Sequence, residues 1–224
     1  MTGCIYCIDN DIIKKLATFE LFDETINLFN TNPGKINILK TAQYKFYGDW
    51  EKLRKGKVKN VEDQFINYEK TVQLAKDLPH ISRTEVDVGL FTHLLSFEGI
   101  NEGEATLASY VIEVIQKGEF TEILILTGDK DFLKALAKVE LYDIQALLTH
   151  KLWCLEQLIL KNIKVYGFEF VRNKIVPVRE CDKAIKAIFG SGMVSTPENS
   201  LSTLNNYIEE LRDQTGNLLH PYPN

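Results

Sequence analysis

The sequence has no long apolar run and contains little cysteine. No apolar stretch approaches the roughly 20 residues that a membrane-spanning helix requires, and four cysteines in 224 residues are too few for a disulfide scaffold. The apolar run at residues 4–8 is also too short for a signal peptide. We therefore expect a cytoplasmic protein with reduced thiols and no membrane segment.

Two further absences exclude common kinds of active site. There is no glycine-rich phosphate loop, and none of the four histidines stands in a serine or cysteine nucleophile motif. A zinc site is disfavoured as well. Cys4 and Cys7 have the spacing of two zinc ligands but fall in a predicted strand, while Cys154 and Cys181 are single.

Charge is spread unevenly along the chain. The net charge of −5 argues against a protein that coats nucleic acid. Residues 35–59, by contrast, contain eight basic and two acidic side chains. This segment is either a solvated loop or a surface that contacts phosphates. In the second case the predicted nucleic-acid contacts are Lys52, Arg54, Lys55 and Lys57.

Short apolar runs alternate with helical patterns over the first two thirds of the chain. Strands are predicted at 4–8 and 123–127, with a weaker one at 151–155 and another at the start of 36–47. Helical spacing covers 12–29, with a break near Phe22, and recurs at 61–75, at 84–97, after Asn101 and after Asp129. This alternation predicts an α/β fold with a mainly parallel sheet.

The C-terminal third has a different pattern. Residues 168–178 favour a strand, a turn at 172–174 and a second strand, and a helix is expected around 180–189. The last helix is predicted to begin after Thr196 and to end before Gly216. Its apolar stripe packs either on the domain's own core or on a partner, and consists of Leu201, Leu204, Ile208 and Leu211.

Acidic residues follow two predicted strands and open one predicted helix. Asp9 follows the first strand, Asp129 follows the strand at 123–127, and Glu104 lies in the first turn of the helix after Asn101. In an open parallel sheet the crevice beyond the carboxyl ends of the strands binds ligands. Carboxylates gathered there need a counter-charge, which Mg²⁺ or Mn²⁺ supplies through oxygen ligands.

Each acid also has a local interpretation. Asn101 and Glu104 have the spacing of a helix capping box, and Asp129 is suited to cap the following helix, where the helix dipole also favours Asp131. The metal-site hypothesis therefore depends on the three stretches coming together, not on any one residue.

At these stretches the chain resembles the PIN-domain family of metal-dependent nucleases. The matching segments are Cys7 to Ile13, Asn101 to Ala105 and Leu126 to Phe132, in the family's order, and the resemblance extends over residues 3–165. It implies a three-layer α/β/α sandwich and a Mg²⁺- or Mn²⁺-dependent endoribonuclease of toxin or defence type. The implied substrate is RNA, with single-stranded DNA as a second candidate.

The resemblance also implies roles for individual residues. Asp9, Glu104 and Asp129 would bind the metal and act in catalysis, with Asp131 completing the catalytic set; Asn10 and Thr127 would support the site. The family usually carries a further acid after the second strand, where this chain has Lys45. Glu85 is the candidate for the missing ligand, with Asp87 as the alternative.

The chain is longer than compact PIN domains. We expect a PIN-like domain at 1–165 with an insertion at about 49–80, and a C-terminal helical and hairpin extension at 166–224 packed on the same domain. The expected protein partners are an antitoxin-like protein or a second copy of the chain.

Two other functions remain open at this point. In the first, the site is degenerate and the chain is a nucleic-acid or protein-binding module. In the second, the chain is a haloacid-dehalogenase-type phosphatase with Asp9 as nucleophile and Asp11 as general acid. Ile13 stands where that family has threonine or valine, and there is no clear catalytic lysine segment before Gly128.

Overall fold

A parallel sheet forms the centre of the structure, a computed structural model that describes residues 4–57, 60–118, 120, 122–140 and 142–223. Over these residues five strands run in the order β3-β2-β1-β4-β5, and every neighbouring pair is parallel. The strands are β1 Cys4–Ile8, β2 Ile36–Leu39, β3 His80–Ile81, β4 Glu122–Thr127 and β5 Leu152–Cys154.

Helices cover both faces of the sheet, which gives the predicted three-layer α/β/α sandwich. Within the described residues they are α1 Asn10–Thr18, α2 Phe22–Leu28, α3 Ala42–Arg54, α4 Tyr68–Asp77, α5 Val88–Leu95, α6 Glu102–Lys117, α7 Lys130–Leu136, α8 Tyr142–Leu148, α9 Leu155–Tyr166, α10 Phe168–Ile175, α11 Lys183–Phe189 and α12 Pro197–Thr215. Helix α6 packs on β2, β3 and β4, with α5 and α8 beside it.

The central strands are apolar because both of their faces are covered. Cys7, Ile8 and Ile38 are fully buried, as are Ile125 and Leu126, and such continuous apolar runs are typical of parallel strands between two helical layers. The strands predicted at 4–8, 36–39 and 123–127 are confirmed. Strand β3 escaped prediction because a two-residue strand carries no periodic signal.

The predicted hairpin at 168–178 is wrong. These residues form helix α10 and then a 3₁₀ helix, Val176–Cys181. Phenylalanine, valine and isoleucine favour strands by propensity. Here, however, Val171 and Ile175 stand four residues apart and both are buried, so tertiary packing of one helical face outweighs that preference.

The break predicted near Phe22 is confirmed, and two other predicted helices are shorter than expected. The helix at 12–29 is interrupted at residues 19–21, where Glu20 has a positive φ of 54°. The helix at 61–75 begins only at Tyr68, since Asn67 caps it and Val61 is 67% exposed. Asp87 caps α5, so the helix at 84–97 begins at Val88.

The C-terminal residues pack against the rest of the chain. Helix α12 contacts α7 and α9 and buries Leu204, Ile208 and Leu211, so this stripe faces the protein's own core. Beyond α12, Leu219 pairs with Leu152 of β5. Among the described residues there is no helix with the length and apolar character to cross a membrane.

Candidate functional site

The candidate site lies where the chain reverses its direction of travel across the sheet. From β1 the next strand in sequence, β2, is on one side, and β4 is on the other. Such a switch point opens a crevice beyond the carboxyl ends of the two central strands. Ile8 is paired with Leu126, and the Asp9 N–H donates to the Leu126 carbonyl at 2.9 Å. The residues after β1 and β4 are therefore side by side.

Thr127 connects the first two acids. Its hydroxyl donates to Asp9 Oδ2 at 3.3 Å and accepts the Asp129 N–H at 3.1 Å. Asp129 in turn caps α7, because its Oδ1 accepts the N–H groups of Asp131 and Phe132 at 2.9 and 3.0 Å. The cap uses one carboxylate oxygen of Asp129, and the sequence prediction of a capping role is confirmed.

Glu104 reaches the same place from the start of α6. Its Oε2 accepts the Asn101 N–H at 2.8 Å, while Asn101 Oδ1 accepts the N–H groups of Gly103 and Glu104. The capping box is thus confirmed. A Cβ atom on Gly103 would lie only 2.9 Å from a methyl of Leu39, so glycine lets α6 begin close against the end of β2.

Capping does not separate Glu104 from the other acids. Glu104 is 4% exposed, and its carboxylate lies close enough to those of Asp129 and Asp9 to be affected by their charges. Burial and the nearby charges of Asp129 and Asp9 raise the pKa of Glu104 to about 8. We call Asp9, Glu104 and Asp129 the carboxylate cluster.

The carboxylate cluster lacks compensating positive charge. Burial, together with the charges of Asp11 and Asp129, raises the pKa of Asp9 to about 6. No lysine or arginine in the described part of the chain forms an ion pair with any of the three acids. Such an excess of buried negative charge is what a divalent cation offsets.

A buried oxygen next to the cluster also fits a cation. Asn10 Oδ1 is buried and has no hydrogen-bond partner among the described residues, although buried polar atoms are almost always paired. Oxygen atoms of carboxylates and amides are the ligands that Mg²⁺ and Mn²⁺ prefer. With the side chains as they stand, no three His, Cys, Asp or Glu groups of the described residues are arranged to hold an ion. The match between this site and a divalent cation therefore rests on the kinds of atom present and on their charge.

An open cleft of about 630 Å³ adjoins the cluster. Asp129, Asp131 and Gly128 line it from the end of β4, and Asp11 lines it from α1. The opposite walls come from the expected insertion and the C-terminal extension, and their lining residues are Asn60, Glu62, Asp63, Ile66, Cys181, Asp182, Lys183 and Ala184. The cleft also has lysines in its lining, namely Lys14, Lys15, Lys130, Lys134 and Lys183.

A second acidic group in the cleft is partly neutralised by a buried lysine. Lys15 Nζ lies 2.5 Å from Asp11 Oδ2 and 2.5 Å from Asp182 Oδ2. Asp182 also caps α11 by accepting the Ile185 N–H. We call Asp11, Lys15 and Asp182 the lysine-bridged cluster. The i,i+4 spacing of Asp11 and Lys15 is visible in the sequence, but nothing there indicates Asp182.

The side chains of the other predicted site residues are exposed or make local contacts of their own. The Asp131 side chain is 86% exposed, with its carboxylate 3.9 Å from Lys134. Glu85 follows β3, two strands from β1, and its carboxylate accepts the Ser82 N–H in a local capping box. Asp87 caps α5, and Lys45 is exposed on α3.

The predicted nucleic-acid contacts lie at the C-terminal end of α3. Lys52 pairs with Asp49 at 2.7 Å, and Arg54 and Lys55 pair with Glu51 at 3.1 and 3.0 Å. Lys57 is exposed just beyond the helix, and Lys59 is outside the described residues.

The cysteines do not form a metal site among the described residues. Cys7, Cys154 and Cys181 are free and buried, whereas the side chain of Cys4 is outside the described residues.

No protein-family model, curated protein or solved structure matches this chain.

Proposed function

We propose that this protein is a PIN-like, Mg²⁺- or Mn²⁺-dependent phosphodiesterase, with RNA as its first candidate substrate and single-stranded DNA as its second. The observation that carries the proposal is the meeting of Asp9, Glu104 and Asp129 at the switch point of a parallel sheet. They come from three distant parts of the chain, and no described cation balances them. Helix capping explains a single acidic residue at a helix start. It does not explain why three acidic residues from separate segments lie together.

The chain's own residues would prepare the site. Asp9, Glu104 and Asp129 would hold the cation, and Asn10 Oδ1 would offer a neutral oxygen beside them. Thr127 fixes Asp9 relative to Asp129, and the capping box fixes Glu104. A divalent cation held there would polarise a phosphodiester and lower the pKa of an attacking water.

The cleft would accept the substrate. It brings together the acidic edge of the sheet and lysines from α1, α7 and α11. Lys14, Lys134 and Lys183 are held only loosely, with carboxylate distances of 3.6, 3.9 and 3.8 Å, so a phosphate group can replace those partners at little loss.

The phosphatase alternative is less favoured by the structure. It requires Asp11 to act as a general acid, yet Asp11 pairs with Lys15 at 2.5 Å and with Lys14 at 3.6 Å. The Asp11 carboxylate is therefore already engaged in two ion pairs within the protein. The binding-module alternative differs from our proposal in metal affinity and is separated by the experiment below.

The decisive experiment combines calorimetry with cleavage. Mn²⁺ is titrated into the protein, and 5′-labelled single-stranded RNA and DNA are incubated with Mn²⁺ or Mg²⁺. We expect metal binding and cleavage in the wild type. Asp9→Asn and Asp129→Asn should each reduce cleavage more than about 100-fold, since even changes behind the metal ligands cost 10–100-fold.

Asp23→Asn is the matched control, since Asp23 is an exposed acid in the first turn of α2. It should leave both measurements unchanged. Cleavage retained by both cluster variants would overturn the ligand assignment. Absence of both metal binding and cleavage in the folded wild type would overturn the nuclease proposal in favour of a binding module.

A further inference from the structure

Helix α3 exposes aromatic side chains on a positively charged surface. Tyr44 is 69% exposed and Tyr47 is 52% exposed, although α3 buries Ala42 and Phe46 on its inner face. Tyr47 contacts the partly buried Trp50 edge to face, with ring centroids 6.3 Å apart, and the Arg54 guanidinium lies over Trp50 at 5.7 Å. The aromatic side chains of α3 therefore extend along the helix towards the basic residues at its C-terminal end.

Gly48 leaves the helix backbone uncovered between these groups. It stands one turn after Tyr44 and one turn before Lys52. A Cβ atom there would meet nothing within 4 Å, so packing does not require glycine, which destabilises a helix relative to alanine. The result is an open, flat surface flanked by a ring and a cation.

The charge of this helix contrasts with that of the chain. Residues 42–57 contain five basic and two acidic side chains, on a protein whose net charge is −5. Lys52, Arg54 and Lys55 are between 60% and 64% exposed in their ion pairs. Exposed pairs of this kind contribute little to stability, so these cations are free to pair with phosphates instead.

The α3 surface, by which we mean Tyr44, Tyr47, Lys52, Arg54 and Lys55, matches one kind of ligand. Proteins that bind single-stranded nucleic acid combine a positive surface with exposed rings on which bases stack. Protein–protein interfaces also use tyrosine and arginine, but they are depleted in lysine. Double-stranded nucleic acid offers phosphates without accessible base faces.

We propose that the α3 surface binds single-stranded nucleic acid, with bases stacked on Tyr44 and Tyr47 and the backbone held by Lys52, Arg54 and Lys55. This inference rests on the proposed function in that it describes how the same substrate is held outside the cleft. The two regions adjoin: α3 packs on α4, and the Tyr68 hydroxyl at the start of α4 donates to Asp63 in the wall of the cleft at 3.0 Å.

The test measures binding without cleavage. Fluorescence anisotropy with a labelled 12-nucleotide single-stranded RNA is recorded in EDTA, so that no metal-dependent reaction occurs. Tyr44→Ala and Tyr47→Ala should each weaken binding about tenfold, the effect of losing one base–aromatic stack. Tyr44→Phe and Tyr47→Phe should bind within about twofold of the wild type, because a phenyl ring still stacks.

Phe170→Ala is the matched control. Phe170 is an exposed ring beside a lysine on another helix, so its loss should not change binding. Lys52→Ala and Lys55→Ala should each lower the slope of log K against log salt by about 0.7. Wild-type affinity in the double variant Tyr44→Ala, Tyr47→Ala would overturn the inference, as would loss of an oligomer in that variant without loss of RNA binding.

The outcome is independent of catalysis. If the protein fails to cleave RNA but binds it in a tyrosine-dependent way, the result supports the α3 surface as a binding site and contradicts the nuclease proposal. If it cleaves RNA and the tyrosine variants neither bind less tightly nor raise KM, the nuclease proposal stands and the α3 surface fails.

Discussion

Two acidic clusters lie at the same end of the sheet and differ in how far a positive side chain compensates their negative charge. The lysine-bridged cluster holds two carboxylates around one ammonium group. The carboxylate cluster brings together three carboxylates with no ion-pair partner among the described residues. Thr127 links Asp9 to Asp129, and a capping box with Asn101 holds Glu104. The two clusters therefore differ in charge balance.

The pKa shifts of the acids in the two clusters reflect this difference in charge balance. Burial alone would raise the pKa of Asp182 and lower that of Lys15, but their attraction outweighs it, so that the pKa of Asp182 is lowered and that of Lys15 is raised. In the carboxylate cluster burial and repulsion act in the same direction, and the pKa values of Asp9 and Glu104 rise to about 6 and about 8. The lysine-bridged cluster therefore leaves less buried charge uncompensated than the carboxylate cluster, and we propose that a divalent cation offsets the charge of the latter.

The largest expected effect is the loss of the bridging lysine. Lys15→Met would leave Asp11 and Asp182 facing each other without a cation, and removing one partner of a buried pair costs about 3 kcal/mol. For a chain of this length that corresponds to a fall in Tm of roughly 10 °C. Thermal and urea unfolding at pH 7 measure it.

Lys14→Met is the control for that prediction, since Lys14 pairs with the same Asp11 but at 3.6 Å and with greater exposure. It should cost less than about 1 kcal/mol. Equal losses for the two variants would show that Lys15 contributes only packing, and the contrast between the clusters would disappear.

The second prediction has the opposite sign. Without metal, Glu104→Gln should stabilise the protein by on the order of 2 kcal/mol at pH 8, because glutamine removes a charge that the fold disfavours. It still offers an oxygen to the Asn101 N–H. Unfolding in EDTA measures the change, and Asp131→Asn, at an exposed position, should leave stability unchanged.

The pH dependence of this effect follows from the direction of the shift. Because the pKa of Glu104 is raised by folding, the folded state holds more protons than the unfolded state between about pH 4.5 and 8. Wild-type stability should therefore fall as pH rises through that range, and the advantage of Glu104→Gln should vanish near pH 4. A gain that persists at pH 4 would show that the charge of Glu104 is not its cause.

The sequence allowed much of the carboxylate cluster to be anticipated. Asp9 and Asp129 each follow an apolar run, and the carboxyl ends of parallel strands meet at one edge of a sheet. Asn101 and Glu104 carry a capping signal that fixes the start of α6. These are local patterns whose consequences in space follow from the geometry of a parallel sheet.

The lysine-bridged cluster was not predictable in the same way. The contact between Lys15 and Asp182 joins α1 to a helix near the other end of the chain, and no local pattern encodes such a pairing. The same limit applies to residues 168–178, whose composition favours strands although their buried positions have helical spacing. The wall of the cleft thus became visible only in the structure.

The smallest expected effect concerns the residue that holds the carboxylate cluster together. Thr127→Val removes the hydroxyl that donates to Asp9 and accepts the Asp129 N–H, at a cost of about 1 kcal/mol for the unpaired groups. The loss should be larger at pH 8 than at pH 4.5, because Asp9 needs the donor only when it is ionised. Thr127→Ser retains the hydroxyl and loses a buried methyl, so its cost should not depend on pH. Urea unfolding of both variants in EDTA at the two pH values decides the matter: parallel pH profiles would mean that Thr127 packs beside the acids without organising them.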